Sequence, residues 1–250
     1  MSRFHKILIC FLLLAGIAIA FHKFFLLAIL AAAFLIAIGC GVTLPRLKLF
    51  GDFICRGNNS QKQIALTFDD GPDSNSTPQL LELLWREKIP AAFFCIGKRV
   101  EKNPEIARQI VRAGHLLENH SYTHSVFFNF FSVEHLQTEL QQTQAAIEKI
   151  SGGAPNFFRP PIGLSNPRVF KAAKNLNLKV IGWTIRSFDT ISGKPEKIVA
   201  RIVRQLQPGA IILLHDGKIS TEQLLATVQL LLDKLRKLDY EVVRLDELLK

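Results

Sequence analysis

The stretch Thr67-Phe68-Asp69-Asp70-Gly71-Pro72 predicts the fold around it, because it places two adjacent carboxylates where a short apolar run ends. The run Ile64-Ala65-Leu66 precedes it and is typical of a buried strand. That strand cannot continue through Gly71-Pro72, since glycine suits a turn and proline has no backbone N–H to donate. The stretch is therefore either an ordinary Asp-Gly turn or a pair of carboxylates, one binding a cation while the other takes a proton.

Apolar strand-like runs alternate with helical patterns from Lys62 onward. About seven strands separated by helices predict an α/β protein with a parallel sheet, closed as a barrel or open. The expected strands cover residues 64–68, 91–96, 115–119, 157–159, 179–185, 210–214 and 241–245. In either form, polar residues that follow the strands collect at one rim, where such folds carry their chemistry.

Two histidines follow the third predicted strand, in the sequence His120-Ser121-Tyr122-Thr123-His124. If this segment is helical, a spacing of four puts both imidazoles on one face, within reach of one cation. A carboxylate and two histidines form a three-ligand set that leaves positions open for water and substrate, which is typical of a catalytic metal site. Histidine pairs at this spacing also arise by chance.

Three further strand ends carry candidate residues. In Arg159-Pro160-Pro161-Ile162-Gly163, the stiff backbone before two prolines allows the guanidinium to orient a neighbouring carboxylate; the alternative is a surface arginine before a turn. Trp183 and Asp189 follow the fifth strand, with a core residue and a helix cap as the plainer interpretations. His215 follows an apolar run that includes Leu213, and it suits a general acid or a histidine at the edge of the core.

The N-terminus holds two apolar runs, residues 7–21 and 24–44, of which the second is long enough for a bilayer core. A single span with Arg3 and Lys6 inside puts the domain outside the cytoplasm, and a two-helix hairpin puts both ends on the same side. A cleaved signal is the third alternative. We predict a retained anchor at 1–44 in the cell (inner) membrane, a linker at 45–60 and one domain at 61–250. We expect the domain on the extracytoplasmic side, as the single span gives, and the cytoplasmic side stays open.

The chain of 250 residues has a formal net charge of +10, with lysines and arginines scattered rather than gathered into a basic block. This distribution argues against nucleic-acid binding and favours attraction to an anionic membrane surface. No protein partner can be inferred. Cys55 and Cys95 can pair only if the fold brings them together, and no Cys-x-x-Cys motif is present.

Taken together, the motifs resemble those of the polysaccharide deacetylase family, which shares the NodB-type (chitooligosaccharide deacetylase) domain and is carbohydrate esterase family 4. The resemblance covers residues 61–249. Five motifs match in order: Thr67-Phe68-Asp69-Asp70-Gly71, His120-Ser121-x-x-His124, Arg159-Pro160-Pro161-x-Gly163, the segment from Trp183 to Asp189, and Leu213-x-His215. The resemblance implies a distorted seven-stranded (β/α) barrel and hydrolysis of acetamido groups in N-acetylated glycans.

The resemblance also implies a role for each site residue. A divalent metal, usually Zn²⁺ and sometimes Co²⁺ or Ni²⁺, would be bound by Asp70, His120 and His124. Asp69 would be the base with Arg159 as its partner, and His215 the acid, oriented by Asp189. Substrate contacts would come from Pro161, Ile162 and Gly163, with the backbone N–H of Ile162 at the oxyanion, and from Trp183 and Leu213.

Two departures from the family pattern affect specificity rather than chemistry. In the fourth motif, often Asp-x-x-Asp-Trp, Arg186 stands at the first Asp and Thr190 at the Trp; in the third, Ile162 replaces a frequent Tyr. The expected substrate is an N-acetylhexosamine in a chitooligosaccharide-like or peptidoglycan-like envelope polysaccharide, or in a lipid-linked glycan. The alternatives are a metallo-amidase with a non-sugar substrate and a non-catalytic glycan-binding module.

Overall fold

The computed structural model describes residues 3–57, 61–191 and 193–250. Its α-helices are α1 (Arg3–Ala20), α2 (Phe24–Thr43), α3 (Ser76–Glu87), α4 (Gly97–Lys102), α5 (Pro104–Arg112), α6 (Val133–Ser151), α7 (Pro167–Asn175), α8 (Pro195–Arg204), α9 (Thr221–Lys237) and α10 (Leu245–Leu248). Its strands are β1 (Gln63–Asp69), β2 (Ala92–Cys95), β3 (Leu116–Asn119), β4 (Phe157–Phe158), β5 (Lys179–Val180), β6 (Ile185–Arg186), β7 (Ile211–His215) and β8 (Glu241–Val242).

The strands form one parallel sheet in the order β5-β4-β3-β2-β1-β7-β6, with β8 pairing to β1. The predicted α/β barrel is confirmed, with two corrections. The strand expected over 179–185 is two strands, because Ile181 still donates to Phe158 of β4 while Thr184 already donates to Ile211 of β7. The chain thus crosses between the two sheet edges within a few residues, and the sheet curls into a distorted barrel. The strand expected over 241–245 is shorter, since Leu245 begins α10.

Strand β1 lies at the centre of the barrel and is buried on both faces. Because side chains alternate along a strand, Ile64, Leu66 and Phe68 share one face. These three pack in the largest apolar cluster, which also takes residues from α3, α5, α8 and α9. Thr67 and Asp69 therefore point to the other face, inside the barrel. This alternation directs the first carboxylate of the opening stretch into the interior.

Part of the segment predicted as a linker lies against the barrel. Ile54 pairs with Ile181 and Arg56 pairs with Ala210, so this segment covers the place where the two sheet edges meet. Cys55 is buried between them, and both Cys55 and Cys95 are free thiols. The barrel fold thus begins before residue 61, while the exact domain boundaries stay a prediction.

Helices α1 and α2 are each long and apolar enough to cross a membrane, and few of their residues are buried against protein. They form an antiparallel hairpin in which the rings of Phe11 and Phe34 stack with centroids 4.5 Å apart. The start of α1 returns to the segment that follows α2, where Phe4 N donates to the carbonyl of Leu49 at 3.0 Å. Both outer ends of the hairpin therefore lie at the barrel. Core helices and signal sequences share this length and composition, so anchoring stays a proposal.

Candidate active site

A pocket of about 140 Å³ lies at the rim formed by the carboxyl ends of the strands. The sheet register builds this rim, since Asp69 at the end of β1 lies beside His215 at the end of β7. On the other side, Asn119 ends β3 directly before His120. The pocket is lined by Asp69, Asp70, His120, His124, Ile162, Gly163, Trp183, Arg186, Thr190, Leu213, His215 and Lys218. Parallel pairing thus gathers residues from distant parts of the chain, as expected for this fold.

The three expected ligands converge at the floor of this pocket. One ligand atom from each of Asp70, His120 and His124 lies within 4.8 Å of the other two. His124 Nε2 is 3.2 Å and His120 Nε2 is 3.6 Å from Asp70 Oδ1. These three residues would hold a divalent ion, because one ligand atom of each lies close enough to the other two to reach the same ion.

The segment between the two histidines is a loop, so the helical expectation for His120–His124 is wrong. Ser121 and His124 have φ angles of +64° and +52°, and these two turns rather than helical spacing bring the imidazoles together. The backbone is held from outside the loop: the carbonyls of Ser121 and Tyr122 accept hydrogen bonds from the first turn of α4. Buried Glu139 on α6 accepts from the backbone N–H groups of Tyr122 and Thr123 at 3.0 and 2.8 Å.

The protonation states of these groups suit a cation. Burial and then the charge of neighbouring His120 lower the pKa of His124 to about 4, so its imidazole is neutral at pH 7. Burial acts to raise the pKa of Asp70, but the two histidines and Lys218 outweigh it and hold that pKa well below its usual range. Both Asp70 oxygens are buried without a hydrogen-bond partner among the described residues. An ionised carboxylate without a hydrogen-bond partner, beside the neutral imidazole of His124 and the ring of His120, fits a divalent metal.

Asp69 is held in place by a buried arginine. Arg159 Nη1 lies 2.6 Å from Asp69 Oδ1 and also donates to Thr67 Oγ1 at 2.8 Å. Its Nη2 donates to the Gly182 carbonyl, and its plane stacks on Phe94 at 4.2 Å. Because Arg159 is fully buried, the ion pair has little solvent screening, and the guanidinium holds one carboxylate oxygen while the other faces the pocket.

His215 is oriented by Asp189, which approaches it from the segment after β6. Asp189 Oδ1 lies 2.8 Å from His215 Nδ1, and Asp189 Oδ2 accepts the backbone N–H of His215 at 2.8 Å. The imidazole therefore presents Nε2 to the pocket. Burial acts to lower the pKa of His215, but the hydrogen bond and the charge of Asp189 raise it more, so the net shift is upward.

The expected substrate-contacting residues do not all reach the pocket. Ile162 adopts a φ of +60°, is exposed, and lines the pocket together with Gly163. A Cβ on Gly163 would come within 2.0 Å of the Trp183 ring, so only glycine allows that close contact. Leu213 lines the opposite wall. Pro161 is buried and does not line the pocket, and it shapes the turn rather than the wall.

Lys218 is a pocket residue that the sequence analysis did not identify. Its Nζ lies 3.2 Å from Asp70 Oδ2, and its side chain is 42% exposed. The signal in the sequence was its position three residues after His215, in the segment that follows β7. Arg186 reaches the pocket from β6 and lies over the rings of Trp183 and Phe188, at 5.7 and 5.0 Å. Two cations therefore flank a pocket that already contains two carboxylates.

The order of the strands and the position of the pocket at the rim of the sheet are those of a distorted α/β barrel. The two pairs Arg159–Asp69 and Asp189–His215 at that rim fit the class of the hydrolases. The family model described as polysaccharide deacetylase matches residues 56–181. A peptidoglycan-N-acetylglucosamine deacetylase of Bacillus cereus is 38% identical over 194 residues, which are 77% of this chain and 90% of that protein. The chain belongs to the polysaccharide deacetylase family, and its enzyme class is that of the carbon–nitrogen hydrolases of this family. It spans 58% and 39% of two other, longer peptidoglycan deacetylases.

Solved structures give the same fold. A carbohydrate esterase family 4 pseudoenzyme from Bacillus anthracis is 30% identical with a TM-score of 0.73, covering 80% of this chain and 69% of that one. An acetyl xylan esterase from Clostridium thermocellum, in complex with a cobalt ion, is 34% identical with a TM-score of 0.68, covering 74% and 89%. Since enzymes and a pseudoenzyme share this fold, activity depends on the individual side chains at the rim.

Proposed function

We propose that this protein is a membrane-anchored, metal-dependent hydrolase that removes acetyl groups from N-acetylhexosamine units of a cell-envelope glycan or its lipid-linked precursor. The observation that carries the proposal is the arrangement around one pocket. A base held by Arg159, a three-ligand cluster and an acid held by Asp189 face the same space of about 140 Å³. The related deacetylases support the choice of an acetamido group as the bond that is broken.

Asp70, His120 and His124 are the residues that would hold a divalent metal, which we propose to be Zn²⁺, with Co²⁺ or Ni²⁺ as substitutes. Bound there, such an ion supplies a Lewis acid for the amide carbonyl and lowers the pKa of water. His120 Nδ1 lies 2.7 Å from the carbonyl of Arg159, so a proton on Nδ1 leaves Nε2 free as the ligand atom. The chain thus sets the tautomer of this ligand before any ion binds.

Asp69 is proposed as the general base that takes a proton from the attacking water. Arg159 holds Oδ1, so Oδ2 is the oxygen available to the pocket. Fixing the carboxylate in this way removes the cost of reorienting it during the reaction. A positioned base contributes roughly 10²–10⁴ in rate. The backbone N–H of Ile162 is the donor proposed for the developing oxyanion, because the neighbouring N–H groups of Gly163 and Leu164 already donate to Pro160 and Pro161.

His215 is proposed as the general acid that protonates the departing amine nitrogen. An amine is a poor leaving group unless it is protonated as the C–N bond breaks. Asp189 raises the pKa of His215, so a larger fraction of the imidazole carries a proton near neutral pH. The products are acetate and a free amino sugar. Leu213 lies beside His215 in the pocket wall and provides apolar surface for the acetyl methyl group.

The test is acetate release by the full chain in neutral detergent. The protein is stripped with a chelator, reloaded with Zn²⁺ or Co²⁺, and offered chitooligosaccharides and peptidoglycan fragments. We expect release only after reloading, and a loss of about 10²–10⁴ in kcat/KM for Asp69→Asn. Asp233→Asn, at an exposed position of α9, is the matched control and should keep its activity.

Two results would contradict the proposal, and each would indicate a different function. Loaded, folded protein that releases no acetate from polymeric, soluble or lipid-linked acetylated sugars indicates a non-catalytic glycan-binding module, as the pseudoenzyme with the same fold illustrates. Hydrolysis of peptide or heterocyclic amides, without any action on acetylated sugars, indicates a metallo-amidase with a non-sugar substrate.

A further inference from the structure

A second cavity lies at the end of the barrel opposite the catalytic pocket. Its volume is about 500 Å³. Lys179 begins β5, Thr184 directly precedes β6, and Gln207 precedes β7, so these lining residues mark the amino ends of the strands. The catalytic residues lie at the carboxyl ends of the same parallel sheet. The two cavities are therefore separated by the length of the barrel.

This basal cavity is lined by four cations and no acidic residue. The complete lining is Arg46, Lys48, Ile54, Cys55, Arg56, Lys179, Thr184, Gln207 and Leu249. None of the four cations takes part in an ion pair recorded for the described part of the chain. The nearest acid in the sequence, Asp52, does not line this cavity, although it shares a neighbouring one with Lys179. Uncompensated positive charge in a concave site favours an anionic ligand.

Arg56, one of the four cations, is held in place by the barrel. Arg56 Nε donates to the carbonyl of Pro208 at 2.8 Å, which leaves its two terminal nitrogens for a ligand. Gly209, at a φ of +76°, packs so closely that a Cβ there would lie 3.3 Å from the Arg56 side chain. Burial raises the pKa of Cys55 in the cavity wall, and the charges of Lys48, Arg159 and Arg46 partly oppose that rise. The charges of Lys48 and Arg46 therefore act on the same wall.

The cavity lies where the helical hairpin meets the barrel. Helix α2 ends at Thr43, so Arg46 and Lys48 follow it by three and five residues. The other outer end of the hairpin is fastened to the same segment, since Arg3 Nη1 donates to the carbonyl of Leu47 at 2.8 Å. Five residues reach at most about 18 Å, so these cations stay close to the surface of a membrane that the hairpin enters.

We infer that this basal cavity binds the phosphate of an anionic phospholipid headgroup and thereby holds the barrel upright on the membrane, with the catalytic pocket facing away. The inference rests on the proposed membrane anchor and is independent of the proposed reaction. Anionic lipids attract cations at the surface, and each well-placed lysine or arginine contributes about fivefold in affinity. A zwitterionic headgroup compensates its own phosphate and is a poor ligand for the same site.

The test titrates the full chain, purified in neutral detergent, with short-chain phosphatidylglycerol and measures the lipid bound by native mass spectrometry. Short-chain phosphatidylcholine and inorganic phosphate are the parallel titrations. Lys48→Gln/Lys179→Gln removes two cavity charges, while Lys197→Gln/Lys234→Gln removes two exposed charges from α8 and α9 and is the matched control. We expect the first pair to weaken phosphatidylglycerol binding about 25-fold and the second to change it less than twofold.

The outcomes separate the possible explanations. Equal weakening by both variants means a diffuse attraction and overturns the site. Equal binding of phosphatidylcholine overturns the anionic headgroup, and inorganic phosphate that binds as tightly as the lipid identifies a free anion as the ligand. Acetate release from soluble chitooligosaccharide should be the same in both variants and the parent, so failure of the lipid site is distinguishable from failure of the proposed reaction.

Discussion

Replacing Asp189 with asparagine tests the proposed acid directly. The substitution keeps the size of the side chain and an oxygen that can accept the backbone N–H of His215, but it removes the charge beside His215 Nδ1. Since burial alone lowers the pKa of His215 and Asp189 is the main group that raises it, the pKa falls in Asp189→Asn. A general acid must be protonated to act, so activity falls as the pH rises through this pKa. The alkaline limb of the pH profile therefore moves to lower pH.

The size of the pKa shift follows from the contact between His215 Nδ1 and Asp189 Oδ1. A hydrogen bond to a charged group contributes roughly 1.5–3 kcal/mol, and one pKa unit corresponds to about 1.36 kcal/mol. The contact is 2.8 Å long and the His215 side chain is only 14% exposed, so solvent screening reduces the effect little. We expect the alkaline limb to move to lower pH by about 1–2 units. At a pH above the limb, kcat/KM should fall about tenfold or more, in addition to any decrease that is also measured at low pH.

The assay is the initial rate of acetate release from chitooligosaccharide between about pH 5 and 10, under conditions that report kcat/KM. Thermal unfolding in parallel checks that Asp189→Asn is folded. Asp233→Asn on α9 is the control and should give the parental profile. An alkaline limb that stays in place while the rate falls uniformly would show that Asp189 does not set the pKa of His215. A limb that moves to higher pH would refute the acid role.

Two further predictions concern stability and topology. Burial raises the pKa of Glu118 from 4.5 to about 8, so between these pH values the folded protein holds a proton that the unfolded chain releases, and stability falls as pH rises. In denaturant unfolding, Glu118→Gln should remove up to about 1.4 kcal/mol per pH unit of this slope, whereas Glu82→Gln, at an exposed position of α3, should leave it unchanged. An unchanged slope would contradict this assignment. If α1 and α2 cross the membrane as a hairpin, its outer ends carry Arg3, Lys6, Arg46 and Lys48, while its turn carries Lys23. The more basic side faces the cytoplasm, so a C-terminal green fluorescent protein fusion should fluoresce and an alkaline phosphatase fusion should be inactive. The reverse pattern would indicate the single span and an extracytoplasmic barrel, and with it a polymeric rather than a lipid-linked substrate.

The local sequence was sufficient to predict features that depend on a single strand or helix. The apolar run before Asp69 predicted a buried strand, and the strict alternation of side chains along it directs Asp69 inward. Serine is also a preferred residue directly before a helix, and Ser132 precedes α6 with its hydroxyl accepting from the N–H of His135. The motifs in their order were also sufficient to predict the family, because each is a short stretch at the end of one strand.

Contacts between distant elements decided the rest. His120 and His124 were predicted to converge through a helix, but they converge through two left-handed turns whose backbone bonds go to α4 and Glu139. A spacing of four does not reveal this, because the partners lie elsewhere in the chain. The division of residues 179–185 between two strands depends likewise on how far the sheet curls. Lys218 is marked in the sequence only by its position after His215, and its importance comes from the 3.2 Å between its Nζ and Asp70 Oδ2.

The sequence by itself determined the strand–helix alternation, the residue types available at the strand ends, and the apolar N-terminal runs, because these depend on side-chain chemistry and periodicity along the chain. Only the tertiary structure decided which charges meet. It pairs Arg159 with Asp69 across 90 residues, and it gathers Arg46, Lys48, Arg56 and Lys179 around one basal cavity. The physical reason is that electrostatic and metal-binding chemistry depends on distances in space, which the curl of the sheet sets.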